Sequence, residues 1–117
     1  MKRKSKVLPF RSHEDATVAS FRDDPKFAAE YLNAVLEEGD QDELLLALRY
    51  MAKAFGGVSK LAEEAELNAT SLYRTLSPHG NPELKSLTAL LKAMGMRLAV
   101  EPVRERGARR SRVTANN

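Results

Sequence analysis

Gly57-Val58-Ser59-Lys60-Leu61-Ala62-Glu63-Glu64-Ala65-Glu66-Leu67-Asn68-Ala69-Thr70-Ser71-Leu72-Tyr73-Arg74-Thr75-Leu76-Ser77 is the stretch on which the reading of this chain turns. Ser59 can cap a helix carrying Leu61, Ala62 and Ala65, and Asn68 can cap another carrying Leu72 and Leu76. The connection, around Glu66-Leu67-Asn68, is about three residues long. Spacing alone suits an αα corner in a bundle as well as a helix-turn-helix. The residue types shift the balance toward the second. Ala62 is small where the first helix must approach the next, and Leu67 and Leu72 fall where such a motif buries apolar side chains. Ala69, Thr70, Tyr73 and Arg74 are left on an outward face that is short, polar and free of carboxylates.

Working outward, Ser77-Pro78-His79-Gly80-Asn81-Pro82 has the composition of a loop. A last helix begins between Pro82 and Lys85, shows Leu84, Leu87, Leu90, Leu91 and Met94, and stops at Gly95. Upstream, Asp24-Pro25 supplies an N-cap and a first-turn proline for a helix with Ala28, Tyr31, Leu32, Val35 and Leu36 on one stripe, ended by Gly39. Asp40 with Glu43 has the form of a capping box for a helix on which Leu44, Leu48, Met51 and Phe55 recur, ended by Gly56-Gly57. The fold class expected is all-α, a compact helix-turn-helix domain of four to five helices. Beyond Gly95, Met96, Leu98 and Val100 alternate with Arg97, Ala99 and Glu101, the period of a short β-strand. A lone strand needs a partner. Lys6–Phe10 and the same strand of a second subunit are the candidates, and an extended tail packing Leu98 onto the helices is the alternative.

At 117 residues the chain is one domain's length. It divides into a basic, largely flexible segment at 1–22, the helical domain at 23–103 with the helix-turn-helix at about 57–77, and a basic disordered tail at 104–117. There is no cysteine and only His13 and His79, so no thiolate metal site is available and no metal or cofactor is expected. No stretch approaches the ~18 apolar residues of a membrane span, which makes a soluble, cytoplasmic protein the expectation. Charge is unevenly spread. Residues 1–12 hold five basic side chains and no acid, residues 104–117 hold five arginines and Glu105, and 13–103 carries −6 out of a total of +3. An acidic body does not coat DNA broadly, so DNA contacts would be confined to one small patch, with the tails either adding phosphate contacts or merely solvated.

A recognition helix reads bases with its N-terminal residues. In that role Thr70 hydrogen-bonds a base or packs on a thymine methyl, and Ala69 offers an apolar contact. Arg74 is bidentate to guanine O6 and N7, a contact that discriminates by ~1–3 kcal/mol. Tyr73 either touches the backbone or packs on the domain's own surface. Ser59, Lys60, Ser71, Ser77, His79, Asn81 and Lys85 are candidate phosphate contacts. Capping is the simpler role for Ser59, and for His79 and Asn81 the alternative is that they only shape the loop.

Tyr31-Leu32-Asn33-Ala34, Leu36–Asp40, Leu45–Ala54, Gly57–Ala62, Leu67-Asn68, Ser71–Ser77, Gly80-Asn81-Pro82 and Leu87–Leu98 together resemble the addiction-module antidote family. These are HigA-like, Xre/Cro-type helix-turn-helix antitoxins encoded beside RelE/ParE-type toxins. The likeness runs from about Asp24 to Pro102 and is most specific at Ser71–Ser77 with Gly80-Asn81-Pro82. It implies a lambda-repressor-like domain, a homodimer on double-stranded operator DNA, autorepression of a toxin–antitoxin operon, and a cognate RelE/ParE-type toxin as partner. One departure is Glu66, which stands where the motif usually has glycine in the left-handed region. That costs of the order of 1 kcal/mol and is expected to reshape the turn. The basic tails lie outside the likeness.

Asp23, Asp24, Glu30, Glu37, Glu38, Asp40, Asp42 and Glu43 make the first half acidic, so residues 14–43 either contribute to meeting a basic toxin or form a merely solvated helix face. The other functions open to this sequence are an orphan helix-turn-helix regulator without a toxin and a helical protein-interaction module that never touches DNA. An enzyme is not expected, because no nucleophile–base pair, glycine-rich phosphate loop or metal-ligand cluster is present.

Overall fold

The computed structural model describes residues 12–103; the basic N-terminal end with its candidate strand Lys6–Phe10, and the basic tail at 104–117 expected to be disordered, lie outside the described residues. The chain forms α1 (His13–Asp23), α2 (Pro25–Glu38), α3 (Gln41–Ala54), α4 (Val58–Ala65), α5 (Ala69–Thr75) and α6 (Leu84–Ala93). The all-α class is correct, with six helices where four to five were expected.

Most helix ends are where local chemistry puts them. The Asp24 carboxylate accepts from the Phe27 amide at 3.1 Å, and Pro25 opens α2 without wasting a donor. Asp40 accepts from the amides of Asp42 and Glu43 at the start of α3. Gly39 takes the left-handed conformation that ends α2, at φ 75°. One cap is different. Gly57, not Ser59, is the N-cap of α4, and no side chain caps it; Ser59 lies inside the first turn.

α1 occupies most of the second half of the segment 1–22, which was expected to be basic and largely flexible. Its N-cap is Ser12, whose hydroxyl accepts from the Asp15 amide at 3.0 Å. Only Val18 and Phe21 are buried along it, too few to mark a stripe. Phe21 is nonetheless fully buried, with its ring 5.2 Å from Tyr31 and 5.8 Å from Phe27. Aromatic rings at these tilts attract beyond their buried area. Lys53 on α3 also pairs with Glu14 on α1, and this carboxylate raises the lysine's pKa above its ordinary value.

α1, α2 and α3 pack on one another, α4 packs on α5 and α6, and α3 joins the two groups through α4. One apolar cluster runs through all of them, including Phe21, Leu32, Leu48, Met51, Leu61, Leu72, Leu76, Leu90 and Leu91. Leu84, counted on the α6 stripe, sits at its first turn and is 70% exposed. The expected C-terminal strand is not seen among the described residues. Gly95 ends α6 at φ 81°, the Met96 amide returns to the Leu91 carbonyl at 2.8 Å, and residues 96–103 run on in neither helix nor strand. Leu98 is half-buried against the core, as the extended-tail alternative had it. A strand requires a hydrogen-bonded neighbour, and one chain's described residues supply none. No helix among them is long and apolar enough to cross a membrane.

Candidate nucleic-acid interface

α4 and α5 are joined by three residues, Glu66, Leu67 and Asn68, in a tight corner. Glu66 does not reshape it. The residue adopts the left-handed conformation itself, at φ 60° and ψ 41°, and is the non-glycine with positive φ among the described residues. Its amide reaches the Glu63 carbonyl at 3.2 Å and the Leu67 amide reaches Ala62 at 2.8 Å, which closes α4 with the same pair of bonds a glycine would make. Leu67, half-buried on the core, and buried Ala62 and Leu72 hold the corner against the ~1–2 kcal/mol of left-handed strain. Asn68 then caps α5 by accepting from the Ser71 amide at 2.8 Å.

Leu72 and Leu76 anchor α5 inward, so helical periodicity turns the remaining positions out. Thr70, Ser71 and Arg74 are exposed and Tyr73 is 56% exposed, so Tyr73 is not folded back onto the domain. Ala69 is half-buried and packs on the core, which leaves it the least available of the four proposed base-reading residues. No carboxylate lies on α5. Over the whole described region fifteen acidic side chains face nine basic ones. α5 therefore presents an acid-free, exposed, hydrogen-bonding face on a domain of net negative charge, and the exposed Lys85, Thr88 and Lys92 of α6 are likewise free of acidic neighbours along their helix.

The candidate phosphate contacts differ in exposure and in freedom. Ser59, Lys60, His79, Asn81 and Lys85 are exposed. Lys60 lies 3.8 Å from Glu64 one turn along α4, a solvent-exposed pair that a phosphate could displace at little cost. Ser77 is half-buried, and its hydroxyl donates to the Arg74 carbonyl at 2.7 Å, closing the end of α5. His79 stands alone as a titratable group in its loop, and no group of three or more potential metal ligands occurs among the described residues.

Two residues that sequence reasoning did not single out fix the far end of α5. Arg49, on α3, donates from its guanidinium to the Leu76 carbonyl. A cation at a helix C-terminus also meets the negative end of the helix dipole. Gly80 presses on the same turn from the loop, where an added Cβ would lie 1.7 Å from the Thr75 oxygen and 2.9 Å from the Arg74 oxygen. Arg49 carried no local signal, since it sits 27 residues from its acceptor. Gly80 had one, as part of the Gly80-Asn81-Pro82 loop.

An all-helical chain with a short α4, a three-residue left-handed corner and an outward-facing α5 is a helix-turn-helix protein in architecture. The family model described as probable addiction module antidote protein matches residues 13–102, which includes α1 and all of the helices above. The chain belongs to that family, whose members serve as antitoxins of toxin–antitoxin modules. It is also similar to an uncharacterized protein of Haemophilus influenzae (strain ATCC 51907 / DSM 11121 / KW20 / Rd), 32% identical over 74 residues, which span 63% of this chain and 75% of the relative. No solved structure matches the chain.

Proposed function

We propose that this antitoxin is a homodimeric, sequence-specific DNA-binding protein that represses its own operon and neutralises a RelE/ParE-type toxin in the cytoplasm. The observation that carries the DNA reading is the exposed, carboxylate-free face of Thr70, Tyr73 and Arg74 on the second helix of a helix-turn-helix corner, in a domain of net negative charge. α5 enters the major groove. Thr70 and Arg74 read base edges, with Ala69 supplying at most a partial apolar contact. Tyr73, Ser71, Lys60, Ser59 and Lys85 meet the backbone, with His79 and Asn81 at the loop. One seven-residue helix reads only a few base pairs, so two copies act on half-sites about 34–36 Å apart or a multiple of that. The protein works by binding, with no chemistry of its own.

The test is fluorescence anisotropy with the duplex upstream of the chain's own gene, beside a scrambled duplex, across a salt series. Arg74→Ala should narrow the ratio of specific to non-specific affinity by about 10-fold, the factor a lost bidentate contact supplies. Lys60→Ala should weaken both duplexes alike and flatten the salt slope by about one. An equal loss on both duplexes for Arg74→Ala would contradict base reading.

For the toxin, the supporting observation is that Glu30, Glu37, Glu38, Asp42 and Glu43 are all exposed and serve no cap through their side chains. Removing residues 14–43 is not a usable test, because Phe21, Ala28, Leu32 and Val35 belong to the core. Charge reversal is. Glu30→Lys with Glu43→Lys should slow association with a basic toxin, and more so at low salt. An unchanged rate would rule this stretch out.

A further inference from the structure

Residues 96–103 are not absorbed by the α5 reading. Exposure alternates at their start: Met96 and Leu98 are half-buried, Arg97 and Ala99 exposed, which is the two-residue period of extended chain. Val100 belongs to the inward set by that period, yet it is 98% exposed, and Val103 is 95% exposed. Among the described residues no backbone hydrogen bond involves residues 97–103. Between this segment and α2 lies an open cleft of about 1500 Å3, whose wall combines Ala29, Leu32, Leu36 and Leu98 with the polar Asn33, Glu37 and Glu38 of α2. Leu36 is itself 38% exposed there. A cleft with apolar side chains in its wall, beside backbone that is unpaired among the described residues, suits a strand.

The segment's own sequence says which strand fits. Placed antiparallel to itself about a two-fold axis through Ala99, it sets Arg97 opposite Glu101 of the second copy, twice, on the exposed face. On the inward face the same register sets Leu98 opposite Val100. Opposite charges and paired apolar side chains directly across a ladder each favour the pairing, and the polar and apolar sets stay on their own faces. Pro102, which has no amide to donate, falls at the ladder's end where none is needed. A one-residue slip would put Arg97 opposite Val100 and lose both complementarities.

We propose that Met96–Val103 is the dimer interface of this protein, a two-stranded antiparallel ribbon centred on Ala99 that lies over α2 of both copies and buries Val100 and Leu36. The inference rests on the homodimer proposed above and not on DNA binding, and its test uses the full chain without DNA. Sedimentation should show a dimer. Arg97→Glu should shift the protein to monomer with at least a 10-fold weaker dimer constant, and Arg97→Glu with Glu101→Arg should restore it. Val100→Asp should also give monomer with unchanged helical circular dichroism, since Val100 is not part of the described core. The chain has no native cysteine, so Ala99→Cys should form a covalent dimer on mild oxidation. Paired residues on the axis have Cα atoms about 4.5–5.5 Å apart, within disulfide reach. Glu101→Cys should not cross-link, because it lies about 14 Å from its own copy in this register. A monomeric wild type, a dimer indifferent to both Arg97→Glu and Val100→Asp, or cross-linking of Glu101→Cys as readily as Ala99→Cys would overturn the proposal.

Discussion

Gly80→Ala pits two effects of known sign against each other. Replacing glycine by alanine reduces the freedom of the unfolded chain, which by itself stabilises by ~0.4–1 kcal/mol. In the folded protein the new methyl would sit 1.7 Å from the Thr75 oxygen, 2.4 Å from the Thr75 carbonyl carbon and 2.9 Å from the Arg74 oxygen. All three are backbone atoms, so no side chain can rotate away. The loop must move by about 1.5 Å or more to reach ordinary contact, straining the Gly80 amide bond to Ser77 at 2.8 Å and the Ser77 bonds to the Arg74 carbonyl. Overpacking of this kind costs ~1–3 kcal/mol, and a lost hydrogen bond ~0.5–1.5 kcal/mol more. The clash therefore wins, with net destabilisation of ~1–3 kcal/mol. In a domain of this size that lowers Tm by roughly 5–20 °C. Thermal denaturation followed by circular dichroism measures it. A Tm equal to or above that of the wild type would refute the reasoning, since the unfolded-state gain would then be unopposed. The strain acts on the last turn of α5, so affinity for the operator duplex should also fall.

Three further outcomes follow from the same structure. Glu66→Gly should stabilise by ~1 kcal/mol, the left-handed strain relieved less the extra entropy of an unfolded glycine; urea denaturation showing a loss would mean that Glu66 contributes a contact its backbone does not reveal. Arg49→Met should cost about 1–2 kcal/mol by leaving the half-buried Leu76 carbonyl without its charged donor, with Arg49→Lys recovering part of it; operator affinity should fall by more than affinity for the scrambled duplex, because α5 loses its aim. Lys53 holds its proton more tightly when folded, so the contribution of its pair with Glu14 is complete below the ordinary lysine value of 10.5 and is lost as pH rises through the higher folded value. On the alkaline side, wild type and Glu14→Gln should therefore converge in stability as pH rises through the folded lysine value, and convergence already at neutral pH would show the pair to be idle.

Much of the fold was legible because it is written in short-range chemistry. Asp24-Pro25, Gly39, Asp40, Asn68 and Gly95 start or stop helices through bonds to residues five or fewer positions away. The outward set of Thr70, Tyr73 and Arg74 follows from helical period once Leu72 and Leu76 are inward. α1 was not legible, because two buried side chains on eleven residues make no stripe; it is held by contacts with Tyr31 and Lys53 that are distant in sequence.

The sequence by itself determined an all-helical chain with a helix-turn-helix corner and an outward α5 face without carboxylates, since caps, periodicity and charge are local properties. Only the tertiary structure decided that the corner survives Glu66. Left-handed strain is a local cost, and whether it is borne depends on the burial of Ala62, Leu67 and Leu72 around it. Tertiary packing likewise decided how α5 is held, through Arg49 and Gly80 closing on the Thr75-Leu76 carbonyls from two other parts of the chain.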